Sequence, residues 1–142
     1  MALNTNPIYS GVGDLQWTTV MTAVNTTLDA TAANAYTVFS ASTSGSFVQR
    51  VRFKASGSTT ATAARIFINN GAASASAANN VLFDEITLPL TTTAAASAQA
   101  VYELPLNIAL PIGYRILATL ATAQAAGGGW YASAVGGSYT TP

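Results

Sequence analysis

All the formal charge of this 142-residue sequence sits on ten side chains: Arg50, Arg52, Lys54, Arg65 and Arg115, balanced by Asp14, Asp29, Asp84, Glu85 and Glu103. There is no His and no Cys. Triads and dyads built on His or Cys, zinc sites of the Cys/His kind, disulfide frameworks and thiol redox chemistry therefore lack their reagents. The one acidic pair is Asp84-Glu85, and neighbours in a strand point to opposite faces, so these carboxylates cannot face each other as a general acid and base would. They read instead as cross-strand partners for Arg50, Arg52 or Arg65. A calcium or magnesium site needs several oxygen ligands close together, and five scattered acids do not provide them. No metal, cofactor or catalytic residue is expected.

Arg50, Arg52 and Lys54 form the strongest charge cluster. Three cations set against five acids make no nucleic-acid footprint, so the cluster reads as a solvated face or an intersubunit contact. Gly127-Gly128-Gly129 lacks the Gly-Lys-Ser/Thr ending of a phosphate loop and reads as a hairpin turn into the last strand. Asn25-Thr26-Thr27 matches a glycosylation acceptor, a signal without meaning where no secretory leader is seen. Trp17 and the pair Trp130-Tyr131 could stack on sugar rings. In a strand only one of Trp130 and Tyr131 can face outward, and core or interface packing is the stronger reading for these aromatics.

Charged residues make up 7% of the chain, against about 25% in an average soluble domain. The surface must then be built from Ala, Ser, Thr, Asn and Gly, with a net charge of zero. Such a surface offers little electrostatic resistance to association and favours permanent assembly. Met1 to Ser10 shows neither the basic stretch nor the apolar run of a secretory signal, and no apolar run is long enough to span a bilayer as a helix. A chain made in the cytoplasm, without membrane attachment, is expected.

The elements that must position these groups recur about every dozen residues, as runs rich in β-branched and aromatic residues separated by Gly, Asn, Ser and Ala. Strands are predicted at Leu15 to Val20, Ala35 to Ala41, Ser46 to Ala55, Ala63 to Asn69, Val81 to Leu88, Ala100 to Leu110, Tyr114 to Ala121 and Gly129 to Val135, with a short one near Ile8. This is an all-β pattern, an antiparallel β-sandwich with at most a turn or two of helix. Strict alternation puts Phe47, Val51 and Phe53 on the core face of the third strand and Arg50, Arg52 and Lys54 on the other. Tyr102, Leu104, Leu106 and Ile108 line a second inner face, and Tyr114, Ile116, Ala118 and Leu120 a third. Pro105 argues for an edge position or a bulge. Gly71 to Asn80 and Thr91 to Ala100 read as loops ordered only by contact with something else.

Residues 1–34 are polar and rich in turn formers, yet carry Ile8, Tyr9, Leu15, Trp17, Val20 and Met21. That mixture predicts an extended arm that gains by folding onto a neighbouring subunit, ahead of a sandwich domain spanning 35–142. The candidate interface is Ile8, Tyr9 and Trp17 from the arm with Arg50, Arg52 and Lys54 from the sandwich.

Val38-Phe39-Ser40-Ala41, then Gly45, Val48-Gln49-Arg50-Val51-Arg52-Phe53-Lys54-Ala55 and Ala64-Arg65-Ile66-Phe67-Ile68, resemble in order a group of small virion structural proteins of tailed bacteriophages. Leu82 to Ile86, Leu106 to Ile116 and Trp130 to Tyr139 continue the resemblance, which covers about residues 35–139. It implies a jelly-roll-like domain that decorates the head as a cement protein, with the major capsid protein and further copies of itself, as a homotrimer, for partners. The virion is then the site of action. The alternatives are a receptor- or glycan-binding module of a tail fibre or collar and, in a different class, a glycan hydrolase.

Overall fold

The chain doubles back on itself so that its first strand pairs with its last. The computed structural model describes residues 10–140; the strand expected near Ile8, and the interface positions Ile8 and Tyr9, lie outside them. Eight strands, β1 (Ser10–Trp17), β2 (Tyr36–Ser40), β3 (Ser46–Ala55), β4 (Thr62–Asn69), β5 (Asn80–Leu88), β6 (Val101–Leu110), β7 (Arg115–Leu120) and β8 (Trp130–Tyr139), make two four-stranded sheets, ordered β1-β8-β3-β6 and β2-β7-β4-β5. Every pairing is antiparallel: β1 with β8, β2 with β7, β3 with β6, β4 with β5, closed by β3 with β8 and β4 with β7. This is a long two-stranded ribbon rolled into a sandwich, the jelly-roll arrangement. The only helical element among the described residues is the 3₁₀ turn Ala77–Asn79.

Between the sheets, Trp130, Phe39, Phe53, Met21, Ile66, Leu88, Ile116 and Leu120 are fully buried, each contributing roughly 1.5–3 kcal/mol by leaving water. Tyr102 meets Trp130 edge to face, with ring centroids 5.7 Å apart. Leu104 and Leu106 are buried, and Tyr102 and Ile108 pack against the same core, as alternation along β6 predicts. Pro105 lies on β6 at the sheet's edge, beside an irregular register.

Alternation along β3 is broken. Val48 pairs with Gly136 and Arg50 with Val135, which leaves Gln49 as an extra residue against β8. The bulge shifts the phase, so Val48, Val51 and Phe53 enter the core, while Phe47 lies in register between Gly137 and Ala109 and is only half-buried. The expected inner position of Phe47 is thus taken by Val48. The Gly127-Gly128-Gly129 turn is not a hairpin either, because β7 and β8 belong to different sheets. It crosses from one sheet to the other against the loop after β3, where a Cβ on Gly128 would overlap the Ser58 carbonyl oxygen.

Two further expectations are corrected. The boundary at residue 34 does not separate an arm from the sandwich over the described residues. β1 is an integral edge strand, Thr18 and Met21 continue its pairing with Ala132 and Trp130, and Met21 is fully buried. The β4–β5 loop is also ordered from within. Asn69 donates to Asn80 (2.7 Å) and Asn70 to Asn79 (3.2 Å), while Asn80 holds the Ser74 carbonyl at 2.7 Å and Asn79 the Ala73 carbonyl at 2.9 Å. Side-chain amides here replace the apolar contacts that Ala and Ser cannot supply.

Residues 22–35 cross the outer surface of the β2-β7-β4-β5 sheet as a strap. Two local turns give it shape: Asn25 Oδ1 accepts from the Thr27 amide and hydroxyl (3.1 and 2.8 Å), and Asp29 Oδ1 accepts from the Thr31 amide and hydroxyl (3.1 and 2.7 Å). The hydroxyl of Thr31, then its amide, holds the Asp29 carboxyl below its ordinary range. Asn80 donates to the Asp29 carbonyl at 2.8 Å, tying the strap to β5. Ala30 of the strap packs on Phe67 and Leu117 of the sheet as a second buried cluster, so β7 is buried on both faces.

Candidate interaction surface

No described residue covers the outer surface of the β1-β8-β3-β6 sheet in this way. Its exposure begins with Gln16, whose side chain turns inward and pairs with β2 as a strand residue would, accepting from the Ser40 amide at 2.9 Å and donating to the Ser40 carbonyl at 3.0 Å. Alternation then forces Leu15 and Trp17 outward, where they are 59% and 67% exposed. On β8, Trp130 is fully buried and Tyr131 is 44% exposed. One member of the pair faces out, as strand geometry requires.

The registers bring the predicted residues onto one surface. One row runs Trp17–Ser133–Arg52–Glu103 across the four strands, the next runs Leu15–Val135–Arg50–Pro105, and Lys54 lies between Tyr131 and Val101. Neighbouring strands are about 4.8 Å apart, which puts Trp17 roughly 10 Å from Arg52 across the small side chain of Ser133. The surface carries apolar and aromatic groups on β1, the small Ser133 flanked by Val135 and the exposed Tyr131 on β8, and cations on β3. Glu103 Oε1 lies 2.7 Å from Arg52 Nε and 3.8 Å from Arg50 Nε. One carboxylate is shared by two guanidinium groups, and Lys54 has no ion-pair partner among the described residues.

Sequence reasoning placed Trp17, Arg50, Arg52 and Lys54 at an interface, and the fold brings all four to this surface. It missed Glu103, whose alternation with Tyr102 and Leu104 was the available signal. The Asp84-Glu85 pair serves elsewhere: Glu85 bonds Arg65 across β5 and β4 at 2.8 Å, the cross-strand role expected of it. Asn25, of the glycosylation-like triplet, is buried in its turn. Trp17, Tyr131 and the Arg pair are the residue types that concentrate binding energy at protein interfaces, the aromatics as large groups that lose little entropy when fixed and the guanidinium groups as planar forks of hydrogen-bond donors. No group of three or more acidic residues that could hold a metal ion occurs among the described residues. No helix among them is long and apolar enough to cross a membrane. Comparison with protein-family models, curated proteins and solved structures returned no match for the chain.

Proposed function

We propose that the chain is a non-enzymatic structural subunit of a tailed-bacteriophage particle, a decoration protein that binds the major capsid protein of the assembled head and reinforces it as a homo-oligomer. The observation that carries this reading is the outer face of the β1-β8-β3-β6 sheet, on which the described residues leave Trp17, Leu15, Tyr131, Arg50, Arg52 and Lys54 together on one surface. A subunit that seats on a preformed lattice needs such a surface and needs no turnover chemistry. The low charge of the chain, 7% of its residues, and the lack of oxidisable thiols suit a particle that works outside the cell. The resemblance across residues 35–139 supports the same class.

Gel densitometry of purified particles tests the proposal. A copy number in the hundreds per particle is expected, and a copy number of a dozen or fewer would overturn it. The second reading, a glycan-binding module of a fibre or collar, draws on the exposure of Tyr131 and Trp17 on one face; Trp130, fully buried, cannot contribute to it. Low copy number together with saturable oligosaccharide binding, lost in Tyr131→Ala, would favour that module instead.

A further inference from the structure

Asn70-Gly71, at the start of the β4–β5 loop, is the one place in the sequence where an asparagine precedes a glycine. No side chain crowds a glycine amide, so it can attack the asparagine before it, and the pair is chemically labile for that reason. In this reaction the Gly71 nitrogen gives its proton to hydroxide and bonds to Asn70 Cγ, while the Cγ–Nδ2 bond breaks and ammonia leaves with a proton from water. Water then opens the cyclic imide at one carbonyl or the other, leaving aspartate or isoaspartate at position 70.

The fold cannot exchange Gly71 for a safer residue. Its φ is +93°, and a Cβ there would lie 2.7 Å from the Gly113 carbonyl oxygen. Burial does not shield the pair, because Asn70 and Gly71 are both exposed. The groups that must react are instead engaged. The Gly71 amide donates to Asn69 Oδ1 at 2.9 Å, and Arg115 Nε holds the same oxygen at 3.1 Å. A proton held in that bond is harder to remove, so the nucleophile stays neutral. Asn70 Oδ1 accepts from the Ala72 amide at 3.1 Å and Asn70 Nδ2 donates to Asn79 Oδ1 at 3.2 Å, which fixes the side chain at both ends.

We propose that Asn70 is a deamidation site that the closed loop protects, and that its conversion opens the loop irreversibly. A carboxylate at position 70 has no hydrogen to give, and it would set its oxygen against Asn79 Oδ1. Asn79 cannot turn its amide round without losing its bond to the Ala73 carbonyl. Opening permits conversion and conversion prevents closing, so each converted chain records an opening. The device is independent of what the chain binds.

The test is peptide mapping by mass spectrometry of the full chain, incubated at mildly alkaline pH both folded and in guanidinium chloride. Folded, Asn70 should convert at least about tenfold more slowly than in the denatured chain, the factor that two ordinary hydrogen bonds supply together. Equal rates overturn the protection. Asn79→Ala and Asn69→Ala, checked by circular dichroism for the β spectrum, should each speed conversion of the folded chain about threefold, the share of one bond. Asn69 is buried; if its variant does not fold, Asn79→Ala decides alone. Rates unchanged in every variant that folds would show that these bonds do not hold the site, and would overturn the proposal. Amide hydrogen exchange gives a second readout. Gly71 should be protected in the parent, and Asn70→Asp should speed exchange across residues 70–80; exchange there as slow as in the parent would overturn the opening of the loop.

Discussion

On the outside of the β2-β7-β4-β5 sheet, Phe67 and Leu117 are as buried as residues of the inter-sheet core, while on the outside of the β1-β8-β3-β6 sheet Trp17 and Leu15 are more than half exposed. Both surfaces have large apolar groups on a flat antiparallel sheet. The difference is a strap whose covering residues are small and whose shape comes from two Asx turns. Closing a sheet face therefore requires little apolar mass on the covering segment, provided that the segment's backbone groups are satisfied. The open face, built from Trp, Tyr and Arg, has the composition of a surface completed by another molecule.

The comparison can be broken first at Phe67. If the strap makes a true second core, Phe67→Ala should cost about 3–5 kcal/mol, as a buried Phe does elsewhere, when measured by chemical denaturation. A loss below about 1 kcal/mol would make the strap a loose cover. Asn25 comes next. It is buried, accepts from Thr27 and donates to the Ala32 carbonyl at 3.0 Å, so Asn25→Ala should cost about 1–3 kcal/mol through unpaired backbone groups.

A smaller effect is expected in the pH dependence. Folding lowers the Asp29 pKa from its ordinary value of 3.8, so this carboxylate adds stability that is present above that value and lost as pH falls through the folded one. Thr31→Ala should lower stability in the neutral region and flatten the acid limb of a stability-versus-pH curve, the two curves converging once pH has fallen below the folded value. An acid limb as steep as that of the parent would remove Thr31 from the account. The smallest effect belongs to Trp17. Trp17→Ala should alter the stability of the isolated subunit by no more than about 0.5 kcal/mol, despite the size of the side chain, because its surface is already in water. A loss near that of Phe67→Ala would mean that the open face is structurally closed.

Much of this was legible in the residues. Seven of the eight strands follow from β-branched and aromatic runs, and the inner faces of β6 and β7 from simple alternation; β1, expected at Leu15 to Val20, instead occupies Ser10–Trp17, where Gly11 and Gly13 hide the pattern and pairing with β8 sets the strand. Phe47 was misplaced because a bulge is set by the pairing of two strands, which a single strand's periodicity does not reveal. The strap escaped notice for a related reason. Ala30 has no apolar pattern of its own, and its burial depends on Phe67 and Leu117, far away in the chain. The repeated spacing Asn25-x-Thr27 and Asp29-x-Thr31 was its visible trace, as the doubled Asn69-Asn70 and Asn79-Asn80 were of the ordered loop. For the interaction surface, the cations of β3 were evident from one segment, but their union with Trp17 and Tyr131 required the order β1-β8-β3.

The rolled ribbon also governs how the chain acquires its structure in time. Only β4 and β5 are joined by a short hairpin; β3 must find β6, β2 must find β7, and β1 must find β8 across almost the whole sequence. Each wider pairing closes a larger loop, so ordering starts at the centre of the sequence and ends at its two extremities. Folding on a scale of roughly milliseconds to seconds fits so non-local a topology. During synthesis, β1 is made before the strand it pairs with, and its ladder groups stay unpaired until Trp130–Tyr139 has been made. A chain interrupted before β8 lacks the strand that joins β1 to β3, so the sheet cannot be completed until β8 has been made.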